Sequence, residues 1–509
     1  MTLTRREVLL LGVGVLAAST GCAEKSPTGP STTPSSSPPA PSTSTPSAVT
    51  GPRWSQLAAN LDGSLARPGS AAYDQLRLTE NPRYDGARPL AVLSAASAAD
   101  VATGIRFAQD NQLPVAIRSG GHSYPGWSAG AGRLVIDCRR LSGVGVSGTT
   151  ATIGAGAALA QVYDALANRG RAIPGGSCAT VGIGGLTLGG GVGVLTRAMG
   201  LTCDSVTGLQ VVTADGHVRT VDANHDPDLF WALRGGGGGH LGVVTSFRFA
   251  TAAAPQLQTF YLSWPISAAA AVIEAWQVWG PTADARLWST CKVLGGATHP
   301  SGPTILVAGT WTGPGAPDLS GLLAHCPPPS AHTTTPRTYA QAMRSYAGCS
   351  TVPVSRCHTG PGGDLDREAF GATSHIGYHA LSSAGVSTLL DRVHQVGSGL
   401  KEAGISMDLL GGKVAEVSPS STAFVHRQAL MTVQYTATFT GSRADAADTF
   451  VRGFRSAMTP YWDNHAYVNY ADAQLADPLQ AYFGANATRL GAVRRSYDPH
   501  RFFTQPQGY

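Results

Sequence analysis

Glycine sets the strongest constraint on this chain. It accounts for 63 of 509 residues, about one in eight against a usual ~7%, and it gathers in short segments instead of recurring every third position. Those segments cover residues 120–121, 182–193 and 235–242, all in the first half of the sequence. A collagen-like repeat is therefore excluded, and the pattern predicts loops that need bare backbone for positive φ or for close approach to another group. One such loop is ordinarily a tight turn between strands. Three in one half of a chain, one of them ending in Gly120-Gly121-His122, point to a ligand met by main-chain amides.

The dinucleotide fingerprint GxGxxG occurs formally twice, at Gly143/Gly145/Gly148 and at Gly237/Gly239/Gly242. The first leads into Thr149-Thr-Ala-Thr-Ile153 and the second into Val243-Val-Thr-Ser-Phe247. Both continuations are β-branched and strand-like, so neither opens the helix that a Rossmann phosphate site requires.

The N-terminus reads as an export region. Arg5 and Arg6 precede an apolar run over residues 8–18, too short to span a bilayer as a mature helix, which predicts a twin-arginine signal. That route carries folded proteins and suits a chain that collects a cofactor before it leaves the cytoplasm. Cys22, after Ser19-Thr20-Gly21, resembles a lipoprotein acylation site, with simple cleavage and release as the alternative. Residues 26–50 hold 21 Ser, Thr or Pro in 25 positions, a composition unable to bury enough apolar area to order itself. The expected organisation is a signal over 1–22, a tether over 23–52, a first domain over 53–255, a second over 256–455 where glycine thins, and a C-terminal segment over 456–509.

Within the first domain, residues 96–110 carry Ser97, Asp100 and a helical spacing of Val101, Ile105 and Phe107. Residues 113–117 read as a buried strand delivering its end into Arg118-Ser-Gly-Gly-His-Ser-Tyr124. Further strands are expected at 133–137, 150–153 and 209–213, the last followed by an Asp215-Gly216 hairpin turn. The net charge of +5 is scattered without a basic stripe, which argues against nucleic acid as a partner. No Cys-x-x-Cys array supports zinc or haem, and no carboxylate pair supports a hydrolase. Of the eight cysteines, Cys349 and Cys357 bracket a short loop suited to a disulfide in an oxidising compartment.

Taken together, Arg118-Ser119-Gly120-Gly121-His122-Ser123, the run Gly176-Ser177-Cys178-Ala179-Thr180-Val181-Gly182-Ile183-Gly184-Gly185, and Leu229-Phe230-Trp231-Ala232-Leu233-Arg234-Gly235 resemble the FAD-linked oxidases of the vanillyl-alcohol-oxidase (PCMH-type FAD-binding) superfamily. Tyr467-Val468-Asn469-Tyr470, Tyr482-Phe483-Gly484 and Tyr497-Asp498-Pro499 narrow the resemblance to the berberine-bridge-enzyme-like branch, here an exported bacterial member. The likeness covers about residues 80–509. It implies an α+β protein with an FAD-binding domain, completed by the C-terminal segment, and a substrate domain built on an antiparallel sheet.

The resemblance also implies roles. His122 and Cys178 stand where the family bonds the flavin covalently, through the 8α methyl carbon and ring carbon 6 respectively. Arg118, Ser119, Gly120, Gly121, Ser123, Val181, Gly182, Gly185, Gly242, Val244 and Asn469 fall at flavin-contacting positions. Tyr470 matches the base that takes a proton from an alcohol or lactol hydroxyl. A free phenol titrates near ~10, so the reading expects a nearby cation or hydrogen bonds to lower it, with His426 and Arg427 as candidates on the substrate wall. Val181 favours molecular oxygen as acceptor; a dehydrogenase using another acceptor is the alternative. A small-molecule substrate is expected, sugars and oligosaccharide lactols first, other alcohols or phenolics next. A tethered solute-binding lipoprotein is the competing non-enzyme reading. His240, Leu241, Asp85 and Arg501 depart from the common family pattern, which puts a substrate inferred from better-known members in doubt.

Overall fold

The computed structural model describes residues 52–509; the expectations placed on Arg5, Arg6, Cys22 and nearly all of the tether lie outside them. The first sheet comprises β1 (Ser64–Ala66), β2 (Ala91–Ser94), β3 (Val115–Arg118) and β4 (Leu134–Asp137), ordered β1-β2-β4-β3 with β2, β4 and β3 parallel. Every residue of β2 and β4 is buried, as parallel strands covered on both faces require. The crossover from β2 to β3 is the helix Ala98–Asp110, whose first turn is capped by the Ser97 hydroxyl accepting from the Asp100 amide.

Between Val144 and Ala253 the chain forms β5 (Val144–Ser147), β6 (Thr150–Gly154), β7 (Arg171–Ala172), β8 (Val206–Val212), β9 (Val218–Val221), β10 (Val243–Ala250) and β11 (Ala252–Ala253). Five of these make an antiparallel sheet ordered β5-β6-β10-β8-β9, and β7 pairs with β11. The first formal GxGxxG spans the β5–β6 hairpin and the second runs into β10, so both serve strand turns. Asp215-Gly216 makes the β8–β9 turn, with Gly216 at φ +73°.

The second domain is one seven-stranded antiparallel sheet. Its strands are β12 (Gln256–Pro265), β13 (Leu287–Gly295), β14 (Thr304–Trp311), β15 (Ala331–Thr338), β16 (Ala369–Gly377), β17 (Glu402–Leu409) and β18 (Met431–Phe439), ordered β15-β12-β14-β13-β17-β18-β16. One face packs beneath the helices Ala269–Thr282, Ser383–His394 and Ala444–Trp462 in a core including Trp264, Trp276, Val293, Ile405 and Phe454. The other face alternates with it at the strand period of two: Trp288, Thr290 and Lys292 on β13, Ser406 and Asp408 on β17, and Gln434 and Thr436 on β18 turn toward a cavity.

Two details differ from the expected organisation. The division at 455/456 falls inside the helix Ala444–Trp462, whose Phe450, Phe454, Met458 and Trp462 all join the second core. The helix Tyr339–Tyr346 crosses the other way: Tyr339, Ala342, Met343 and Tyr346 pack into the first core, and the Tyr339 hydroxyl donates to the Ile173 carbonyl at 3.2 Å. Beyond Trp462 the chain returns to the first domain, placing Tyr482, Phe483, Leu490 and Val493 in its core.

Candidate active site

Two glycine loops meet backbone to backbone where β3 ends. A Cβ on Gly120 would overlap the Gly182 amide, and one on Gly182 would overlap Ser119 Oγ and the Gly120 amide. Only glycine at both positions lets the loops touch. Ser119 Oγ is held by the Ala155 carbonyl at 2.7 Å. The crossing brings His122 and Cys178, fifty-six positions apart in sequence, to the border of one cavity of about 980 Å³, at the upper end of ordinary small-molecule sites.

His122 Nε2 lies 2.9 Å from Thr180 Oγ1. Burial pulls its basicity below the usual imidazole range, which favours the neutral, nucleophilic form of the ring. Burial pushes the Cys178 thiol up, and the Lys292 ammonium opposes that shift. Gly120, Gly121, Ser123, Val181, Gly182, Gly185, Gly242, Val244 and Asn469 border the same cavity.

Arg118 does not. It is fully buried behind the loop, donating to the Leu76 carbonyl at 2.6 Å and the Ser128 carbonyl at 2.9 Å, with Asp137 at 3.5 Å. Its work is to brace the chain that presents His122, and the expected cofactor contact is corrected accordingly.

The opposite side of the cavity is supplied by the turn Val468–Tyr470. Its position is fixed by Tyr467, whose hydroxyl accepts from the Gly191 amide at 3.0 Å and from Asn469 Nδ2 at 2.9 Å. Asn469 Nδ2 also donates to the Leu186 carbonyl at 2.9 Å, and a Cβ on Gly189 would overlap the Asn469 amide. The Tyr467-to-Tyr470 motif is thus fastened to the second glycine segment. The Tyr470 ring stacks on Tyr124, centroids 5.4 Å apart and planes 1° from parallel, while Tyr467 meets it edge-on at 4.9 Å. Tyr124 is in turn held by Gln434 on the sheet.

The expectation of a lowered Tyr470 phenol is not met. Burial raises it well above the usual tyrosine value, and Tyr124, Asp408, Tyr467 and Cys178 act in the same direction without an opposing cation. His426 and Arg427 are both buried away from the cavity lining. Arg427 grips Asp204 through two contacts of 2.8 Å, and His426 Nδ1 is 2.8 Å from the Tyr378 hydroxyl. Arg427 thus ties its segment to Asp204 of the first domain, His426 packs against Tyr378 and His465, and neither lines the cavity.

The cavity is roofed by the polar face of the seven-stranded sheet, the second-domain sheet that the resemblance implies, although no motif singled out its residues. Asp408, its carboxyl pushed up by burial and pulled back by Lys292, faces the site with Thr290, Ser406 and Gln434. The alternating polar residues of β13, β17 and β18 carried the signal, but a polar strand face reads equally as a solvated one. A further border runs along residues 347–368, where Cys349 and Cys357 form a disulfide with Cα atoms 5.9 Å apart. The disulfide packs against Ala160 and Ala179, the neighbour of Cys178. His240 also borders the cavity, buried, with its ring 4.9 Å from that of Tyr509.

The site therefore fits a large, elongated cofactor: backbone cradles that a side chain would fill, a neutral imidazole and a thiol on one border, and a polar roof for a substrate. Comparison with known proteins decides its identity. Residues 89–222 match the family of FAD binding domains, and residues 466–508 match the family described as berberine and berberine like. The chain is 31% identical over 458 residues to YgaK, an FAD-linked oxidoreductase of Bacillus subtilis, covering 87% of this chain and 96% of the relative. The chain belongs to the berberine-bridge-like FAD-linked oxidoreductases.

This FAD-linked oxidoreductase is also 29% identical over 447 residues to the chitooligosaccharide oxidase of Gibberella zeae, covering 82% of this chain and 87% of the relative. Its fold superposes on the structure of berberine-bridge-like protein 1 of Physcomitrella patens with a TM-score of 0.80 at 28% identity, covering 89% and 98% of the two chains. The two-domain α+β architecture implied by the sequence motifs is that of the family.

Proposed function

We propose that this oxidoreductase is an exported oxidase of sugar hydroxyls, acting on the lactol or alcohol carbon of a saccharide with FAD held by both His122 and Cys178. The observation that carries the reading is the convergence of His122, Cys178 and Tyr470 on one cavity roofed by a polar sheet. When bound, FAD supplies a two-electron acceptor for the substrate C–H bond.

The neutral His122 ring and the Cys178 sulfur, as its thiolate, would be the nucleophiles for that attachment, each new bond replacing a flavin C–H with the two electrons passed on to oxygen, and the crossed glycine loops fix their separation. The Tyr470 hydroxyl, which has no hydrogen-bond partner among the described residues, takes the substrate hydroxyl proton as the C–H bond breaks. Tyr124 and Tyr467 hold the Tyr470 ring against two faces, so its oxygen has little freedom to stray. Thr290, Ser406 and Gln434 offer the donors and acceptors that a polyhydroxylated substrate needs, and the chitooligosaccharide oxidase relative makes a saccharide the first choice.

Molecular oxygen is the proposed final acceptor, giving hydrogen peroxide, with the small Val181 side chain at the cavity border. Export by the twin-arginine route, with a lipid on Cys22 holding the enzyme at the cell surface, is the matching proposal for location. Mixing the purified enzyme anaerobically with reducing sugars is expected to bleach its yellow colour, and air is expected to restore it with peroxide. No bleaching by any reducing sugar or alcohol would overturn the reading. Recovery with a quinone but not with air would make the enzyme a dehydrogenase.

A further inference from the structure

The chain contains four lysines, Lys25, Lys292, Lys401 and Lys413. Lys401 pairs with Glu368 at 2.6 Å and Lys413 with Glu416 at 2.7 Å. Lys292, half-buried on the cavity face of β13, makes no hydrogen bond or ion pair among the described residues. An ammonium taken out of water without a partner is unfavourable, and the proton transfer proposed above gives it nothing to do.

Most of the other charged groups around the cavity are already engaged. Glu80 accepts from the Thr359 hydroxyl at 2.9 Å, Asp364 pairs with Arg356, and Arg367 pairs with Asp85. Glu368 is bound to Lys401. Asp366 is exposed. Arg337 makes one hydrogen bond, from Nε to Thr259 Oγ1 at 3.0 Å, and has no carboxylate partner. Asp408 is the acid nearest Lys292 in the sheet. It stands diagonal to Lys292, since Lys292 is opposite Ser406 and Thr290 is opposite Asp408, and the two do not come within ion-pair distance. Burial raises the Asp408 carboxyl and the Lys292 ammonium opposes that shift, but no ion pair closes between them.

Register gives the distance from the reacting position. Lys292 pairs with Ser406 and Ser406 with Gln434, so Lys292 is two strand spacings, about 10 Å, from Gln434. Gln434 holds Tyr124, which stacks on Tyr470. Lys292 and Tyr470 line the same cavity, so a substrate bound there can meet both.

We propose that Lys292 is an anion-recognition residue and that the substrate is a carboxylate-bearing sugar, a uronic acid or a short saccharide ending in one. The inference rests on the sugar-oxidase reading of the same cavity and adds the charge of the substrate. A carboxylate on a sugar in this cavity completes a charge-assisted hydrogen bond to the ammonium, and a neutral sugar leaves the ammonium unpaired. Arg337, farther along the roof on β15, offers a second cation to a longer acidic chain.

The test uses the flavin-loaded enzyme and matched pairs, D-galacturonate against D-galactose and D-glucuronate against D-glucose, followed by anaerobic bleaching. The acid is expected to exceed its neutral partner at least tenfold in specificity. Lys292→Gln is expected to collapse that ratio at least tenfold, mainly through KM, while Lys292→Arg keeps a substantial part of it. Raised salt is expected to shrink the preference in the wild type. Equal use of both members of each pair, or a ratio unmoved in Lys292→Gln, overturns the inference and leaves the oxidase reading standing. If no sugar of either kind bleaches the flavin, the oxidase reading fails instead. The anion site is then decided by thermal midpoint: galacturonate but not galactose must raise it in the wild type, with the rise lost in Lys292→Gln, and its absence overturns the site.

Discussion

Replacing Tyr470 by phenylalanine removes one oxygen from the cavity and little else. The ring keeps its stack on Tyr124 at 5.4 Å and its edge contact with Tyr467, and no protein hydrogen bond is lost, so folding stability is expected to stay within about 0.5 kcal/mol. Loss of a positioned base ordinarily lowers a rate by about 10²–10⁴, or about 3–5 kcal/mol of activation free energy. Stopped-flow reduction under anaerobic conditions reads that step directly, with the resting flavin spectrum as the control for an intact site.

The pH dependence supplies the sign. Burial raises the Tyr470 phenol above its ordinary value, and even a phenol at ~10 is ionised in only about one molecule in a thousand at pH 7. The active form is the deprotonated one, so the rate is expected to climb with pH, by about tenfold per unit while the phenol stays mostly protonated, and Tyr470→Phe is expected to lose the slope. Reduction of the variant within a few-fold of the wild type, or a wild-type rate flat through that window, refutes the assignment.

Three further outcomes are expected. Gly182→Ala pushes a methyl into Ser119 and the Gly120 amide, so it is expected to yield protein with little or no bound flavin, measured as the absorbance ratio of flavin to protein. Arg427→Leu strands Asp204 in a largely buried setting and is expected to cost about 3 kcal/mol or more, seen as a lower denaturation midpoint, while surviving enzyme keeps its KM for substrate. Reducing the Cys349–Cys357 bond releases a short loop and is expected to lower stability by about 2–3 kcal/mol, measured by comparing denaturation with and without reductant.

What the sequence made legible were the places where chemistry restricts residue type. The crossing of residues 118–123 with 176–185 needs glycine on both sides, so its pattern stands out. The two GxGxxG strings were correctly set aside because β-branched residues followed them. The Tyr467-to-Tyr470 turn was legible through the family resemblance alone, since by itself Tyr470 reads as an aromatic core residue beside Tyr467. Arg427 misled because its partner Asp204 is 223 positions away, and nothing local separates an arginine facing a ligand from one locked in a buried pair. Arg118 misled in the same way, sitting inside a flavin motif yet turned toward the carbonyls of residues 76 and 128. Lys292 and Asp408 were overlooked because a polar strand face looks solvated until another domain is laid over it. The helix Tyr339–Tyr346 gave no hint of which core it joins, since amphipathic spacing names a buried face and not what covers it.

Intact-mass analysis of the purified mature chain, followed by proteolysis and peptide mapping, tests the central claim most directly. The account predicts a mass raised by one FAD that survives acid denaturation, and a single flavin-bearing species joining the peptide of His122 to the peptide of Cys178. A chain of unmodified mass, with the yellow colour left in the acid supernatant, contradicts it.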